Sequence, residues 1–169
     1  EGKAMTREIA ELGFDRIELG HNTKIFLVEG IVRAVDKGLV QVSSVHNFCP
    51  VPVEVMRASP DCYKFSAPEE RERERALRHT FATIDFAQRL NARFVVLHLG
   101  RTSLDDYTDR LIRMAEVGMI NSREFVRMKI ECIRKRESIG PRYLDRAKEC
   151  LRKVADYAAD KGVQLGVES

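Results

Sequence analysis

Four ionisable side chains stand where four apolar, β-forming segments end: Glu18 in segment 14–19, His46 in 39–46, His98 in 93–99 and Glu168 in 163–168. Two imidazoles and two carboxylates are a ligand set for zinc, manganese or iron. They are equally the general acids and bases of proton-transfer chemistry. Taken singly, each has a plainer reading: a histidine near a strand end serves as a hydrogen-bonded core residue, and a glutamate between Ile17 and Leu19 serves as an ion-pair partner. Four at equivalent positions point to a site.

The elements that must position them follow from the hydrophobic pattern. Residues 3–12 read as a helix stopped by Gly13, and 23–37 as a second, with Ile25, Val28, Val32 and Val35 at helical spacing. The run Ser66-Ala67-Pro68-Glu69 predicts a helix start with a serine cap, a first-turn proline and a capping-box glutamate; that helix runs to about residue 90. Two helical stretches, 104–117 and 122–138, are separated by Gly118 and Asn121-Ser122, and Pro141 opens a further helix ended by Gly162. Between the second strand and the third helix lies a long loop, 47–66, carrying Pro50, Pro52 and Pro60; loops of this length are usually functional or mobile.

Strand and helix alternate without a hairpin signal, which predicts right-handed βαβ units and a parallel sheet. In such a sheet ligands bind at the carboxyl ends of the strands. Period-two alternation places Val95, Leu97 and Leu99 on one face and Val96 and His98 on the other; Glu18, His46 and Glu168 fall likewise opposite aliphatic neighbours. If the strands curl, the four ionisable side chains converge. The pattern opens inside a helix and closes on a strand, so it reads as one section of a longer repeating βα protein.

Composition bounds the rest. The chain has 169 residues, 44% hydrophobic and 33% charged, as in a globular domain with a real core. No apolar run approaches ~20 residues, which argues against a membrane span, and the first residues lack a signal-peptide core. Cys49, Cys62, Cys132 and Cys150 show no metal-binding or disulfide-framework spacing, so reduced thiols and a cytoplasmic setting are expected. The formal charge is +3; residues 101–161 hold 15 basic against 11 acidic side chains, leaving 14 against 15 elsewhere. The excess reads as a solvated helix face, and so small a net charge argues against nucleic acid as a partner. His21 and His79, in a turn and on a helix, read as solvent-facing. Gly100-Arg101-Thr102-Ser103 lies between a strand and a helix, where Arg101 and the amides could hold a phosphate or carboxylate or simply cap the helix. Cys49 has no base beside it in sequence.

The segments Gly13-Phe14-Asp15-Arg16-Ile17-Glu18-Leu19, Ser44-Val45-His46-Asn47, Val95-Val96-Leu97-His98-Leu99-Gly100 and Leu165-Gly166-Val167-Glu168-Ser169 resemble those of the xylose isomerase-like TIM barrels. That family includes sugar and sugar-phosphate isomerases and epimerases and the endonuclease IV-type DNA repair enzymes. The resemblance implies an α/β fold, a partial (β/α)8 TIM barrel holding about strands two to five, within a single domain over 1–169 whose first strand and last three strands are missing. It implies Glu168 as a metal ligand and catalytic acid/base, His98 and His46 as metal ligands or substrate contacts, and Glu18 as a substrate-binding carboxylate; Arg101 joins them from the loop reading. The implied cofactor is a divalent metal (Mn, Mg, Co or Zn).

Two activities follow. One is a metal-dependent isomerase or epimerase acting on a small-molecule sugar, sugar phosphate or related polyol by proton transfer. The other is an endonuclease IV-like phosphodiesterase on abasic DNA, which the charge and the Asn47-Phe48-Cys49-Pro50 continuation after His46 disfavour; a non-catalytic barrel relative is the third reading. Unpaired sheet edges would favour a homo-oligomer.

Overall fold

The computed structural model describes residues 1–104 and 106–168; Asp105 of the expected 104–117 helix and Ser169 of the last motif lie outside the described residues. In chain order the elements are α1 (Gly2–Glu11), β1 (Arg16–Leu19), α2 (Ile25–Asp36), β2 (Gln41–His46), α3 (Glu70–Arg89), β3 (Phe94–His98), α4 (Tyr107–Glu116), α5 (Arg123–Asp160) and β4 (Gln164–Glu168). The four strands form one sheet in the order β1-β2-β3-β4, and all three pairings are parallel. This is the partial barrel expected. No helix among the described residues is long and apolar enough to cross a membrane.

One face of the sheet makes the core. Ile17, Leu19, Val42, Val45, Val95 and Leu97 are buried against Ile31 and Ala34 of α2, Ala76, Ile84 and Ala87 of α3, and Ala147, Val154 and Ala158 of α5. The small residues on these helices let them lie close over the branched side chains of the strands. Leu97 is 0% exposed, and truncating a leucine so enclosed to alanine costs ~2–5 kcal/mol. The sheet's other face is the one left to the polar strand-end residues.

β2 carries a bulge that the alternation does not announce. Ile17 pairs with Val42 but Glu18 pairs with Ser44, so Ser43 is an extra residue. The Ser43 hydroxyl donates to the Ile17 carbonyl at 3.1 Å. Val42 and Val45 are both buried although three apart, and Ser44 and His46 therefore share the face of Glu18.

Two expected helix boundaries are corrected. Ser66 caps nothing: it is buried, and its hydroxyl donates to the Arg101 carbonyl at 3.1 Å while its amide donates to the Leu99 carbonyl. α3 begins at Glu70, and Arg73 Nη1 instead binds the carbonyls of Ala67 and Pro68. Nor does Pro141 open a helix, because α5 runs unbroken through it. An interior proline forfeits one hydrogen bond and costs ~3 kcal/mol, whereas a break would expose the free amides and carbonyls of two new helix ends. The halves are also held separately. In the first, Glu131 accepts from the Tyr107 hydroxyl of α4; in the second, Tyr157 packs on Phe81 of α3 and donates to Asp85; and Ser122 caps the start by accepting from the Phe125 amide at 3.1 Å.

Candidate functional site

Three of the four strand-end residues meet. In register, His98 of β3 lies directly opposite Glu168 of β4, and His46 of β2 pairs with Val96, two residues back on the same face. His46 Nε2 lies 3.3 Å and His98 Nε2 3.4 Å from the same oxygen, Oε2 of Glu168. The ligand atoms of these three residues all fall within 4.8 Å of one another. The histidine rings are tilted at 38° with centroids 5.2 Å apart. The His46 and His98 side chains are 12% and 23% exposed and Glu168 is 60% exposed, so the pair is sheltered and the carboxylate open.

The charge balance of this cluster follows from the groups around it. His46 Nδ1 lies 3.1 Å from the Asn47 carbonyl, and a carbonyl only accepts, so Nδ1 carries the hydrogen of that bond. In the neutral ring the Nε2 lone pair then faces a carboxylate oxygen. Lone pair and anion attract only across a positive charge, supplied by a proton or by a metal ion. The neighbouring His46 and then His98 hold the Glu168 carboxyl below the usual glutamate range, so it is ionised at neutral pH.

Glu18 stands on the same face but makes a different contact, with Oε2 accepting from the Ser44 hydroxyl at 2.5 Å. Arg101 is not brought to the cluster. It lines a groove of about 520 Å³ with Gly100, Thr102, Arg136, Tyr143 and Leu144, a groove that none of the histidines borders. Gly100 holds this loop against the preceding one: its φ is +91°, and a Cβ there would lie 2.6 Å from Ser66 Oγ. Burial pushes the Cys49 thiol up to about 12, which leaves it without nucleophilic character at neutral pH.

Three contributors are absent from the sequence reading. His21, expected to face solvent, is half-buried and meets His46 edge-on, with centroids 5.3 Å apart; burial, then the nearby His46 and His98, push its pKa down. Its position two residues beyond the end of β1 was the available signal, since that is the mouth of a parallel sheet. Ser44 was available as the residue two before His46. Asn47, fully buried, donates from Nδ2 to Thr80 Oγ1 at 2.8 Å. His79, also expected to face solvent, is 19% exposed and stacks on Tyr63 away from this cluster.

A model of the xylose isomerase-like TIM barrel matches residues 6–169. Among solved structures, the chain is similar to a D-tagatose 3-epimerase-like protein at 17% identity and TM-score 0.59, covering 96% of this chain and 46% of that one. It is similar to the D-psicose 3-epimerase of Clostridium cellulolyticum H10, solved with D-tagatose, at 14% identity and TM-score 0.56, covering 96% and 45%. It is also similar to a xylose isomerase domain protein from Planctomyces limnophilus at 11% identity and TM-score 0.55, covering 97% and 48%. At these identities the likeness is one of fold, and the chain spans about half the length of each structure. No curated protein matches by sequence.

Proposed function

We propose, on the premise that the chain belongs to the xylose isomerase-like TIM barrel family, that it carries part of the active site of a metal-dependent sugar isomerase or epimerase. The convergence of two imidazole nitrogens on one carboxylate oxygen carries this reading. Metal–ligand bonds of about 2.0–2.2 Å put neighbouring donor atoms ~3.0–3.5 Å apart, and the two separations at Glu168 are 3.3 and 3.4 Å. The donor chemistry fits too, since neutral imidazole and carboxylate suit zinc, manganese, magnesium or cobalt in a mixed N/O site. His46, His98 and Glu168 would hold the ion.

A bound divalent metal polarises adjacent oxygens of a ketose or polyol and acidifies the C–H bond between them. The chain's own residues do the rest. Glu168, ionised and open to solvent, takes the proton from the substrate carbon and returns it. Glu18 and Ser44 present a hydrogen-bonded acceptor and hydroxyl to the substrate's oxygens, and His21 walls the same mouth. Arg101, in its own groove, serves a phosphate or carboxylate at the far end of a longer substrate.

The test is exchange of substrate C–H protons with deuterated water by the full-length protein, with manganese, magnesium or cobalt, across a panel of ketoses. Metal-dependent exchange on at least one sugar is expected. Nicking of an abasic-site oligonucleotide without sugar exchange would reverse the assignment. Neither activity, with no metal bound, would leave a non-catalytic relative.

A further inference from the structure

We infer that Asn47 is a positioning residue: its buried side chain anchors the backbone carbonyl that fixes which ring nitrogen of His46 faces Glu168. The inference rests on the proposed metal reading only for its consequence, not for its geometry. Asn47 is 0% exposed. Its amide donates to the Val96 carbonyl at 2.8 Å, extending the β2–β3 ladder by one rung. Its Nδ2 donates to Thr80 Oγ1 at 2.8 Å, and the Thr80 hydroxyl in turn donates to the Ala76 carbonyl at 2.7 Å within α3. Residue 47, whose carbonyl begins the next peptide, is therefore tied to the sheet through its amide and to α3 through its side chain. Its carbonyl is the one that accepts from His46 Nδ1.

Packing alone does not explain an asparagine here. Asn47 Oδ1 is buried with no hydrogen-bond partner among the described residues, and a buried acceptor left unpaired is destabilising. An apolar side chain of similar volume would leave nothing unpaired. What the asparagine supplies in return is one strong bond to α3 at the residue next to His46. The neighbours of the ring complete the constraint: His21 meets it edge-on and His98 lies tilted beside it. A half-turn of the His46 ring would put carbons where its two nitrogens now stand, and the Asn47 carbonyl, bound to Nδ1, opposes that turn. Outer partners of this kind set the tautomer of a ligating histidine, and losing one typically lowers metal affinity 10–100-fold.

The tautomer can be read without metal, which separates this inference from the function it serves. In ¹⁵N-labelled, metal-free protein above the imidazole titration range, His46 is expected to carry its hydrogen on Nδ1. Thr80→Val removes the acceptor of Asn47 Nδ2 while keeping the shape of the side chain, and should mix the two tautomers. Thr80→Ser keeps a hydroxyl and should restore the wild-type spectrum. Asn47→Ala should act as Thr80→Val does; if it fails to fold, Thr80→Val decides. Titration with Co²⁺ alone should show a 10–100-fold weaker site in Thr80→Val and near-wild-type affinity in Thr80→Ser. A wild-type His46 protonated on Nε2, or a folded Thr80→Val variant with unchanged tautomer, overturns the positioning role. Absence of Co²⁺ binding by the wild type, with the tautomers behaving as expected, overturns the metal reading and leaves the positioning role standing.

Discussion

Glu168 and Glu54 each gather two partners onto a single oxygen, and they do so differently. Glu168 Oε2 meets His46 and His98 at 3.3 and 3.4 Å. Glu54 Oε1 accepts from the Tyr63 hydroxyl at 3.0 Å and faces His79 Nε2 at 3.1 Å. Burial does not separate the clusters, because the glutamates are 60% and 55% exposed and the histidines all lie between 12% and 23%. The donors separate them. Burial and then Glu54 push the Tyr63 hydroxyl up to about 12, so it always has a hydrogen to give, and His79 is stacked on it at 6°. Around Glu54 every bond closes with the protons already present. Around Glu168 the His46 hydrogen is committed to the Asn47 carbonyl, and the contacts are longer, at the spacing of ligands and not of donor and acceptor. The same residue types thus make a closed clasp in one place and an open socket in the other.

The largest effect should fall on the socket alone. Glu168→Gln is expected to lose bound divalent metal and to slow C–H exchange by about 10²–10⁴-fold, measured by elemental analysis and deuterium incorporation. Glu54→Gln should change neither, and an equal loss in both would erase the distinction. Next in size is stabilisation by the ion. Mn²⁺ or Co²⁺ at 100 times its dissociation constant should add about 2.7 kcal/mol to the wild type, visible as a rise in melting temperature. His98→Ala should abolish that rise, and His79→Gln should leave it intact.

A smaller effect belongs to the clasp. Tyr63→Phe removes one hydrogen bond and should cost about 1 kcal/mol, or ~2–4 °C in melting temperature, with metal affinity unchanged. The smallest effect is in its pH dependence. Burial lowers the His79 pKa from its ordinary 6.5, so below that pH the unfolded chain takes up a proton before the folded one does, and stability falls with falling pH. Glu54 adds to this at lower pH, since its own backbone amide and then Tyr63 hold its carboxyl below its ordinary 4.5; its contribution, present above that value, is lost as pH falls through the depressed one. His79→Gln should flatten the melting curve between pH 6.5 and the glutamate range. A slope unchanged by that substitution would place the titration elsewhere.

What was legible in the sequence was what the backbone period alone decides. Alternation put His98 and Glu168 on one face, and parallel pairing sets them directly opposite. The joining of Glu18 to Ser44 and not to the histidines was not legible, because it depends on which residue of β2 faces β1, and a bulge moves that. The clasp was invisible for another reason. Glu54 and Tyr63 lie in a proline-marked loop without periodicity, and His79 reaches them from a helix 25 residues past Glu54. Ser66 and Pro141 misled because each is a strong local signal overruled by its surroundings: the serine hydroxyl is taken by the Arg101 carbonyl, and the proline sits in a helix held at both ends.

The extra residue at Ser43 makes the site a matter of parity. Between Val42 and Val45 the chain counts three steps while the pleat counts two, and His46 faces Glu168 because the bulge absorbs the odd one. Substitutions at Ser43 leave that count alone. Deleting Ser43 would leave a regular pleat with Val42 and Val45 still inward and His46 still outward, whereas straightening the bulge with every residue kept would send His46 into the aliphatic core and Val45 out to the mouth. The arrangement therefore tolerates the loss of the extra residue and fails when the irregularity is smoothed out around it.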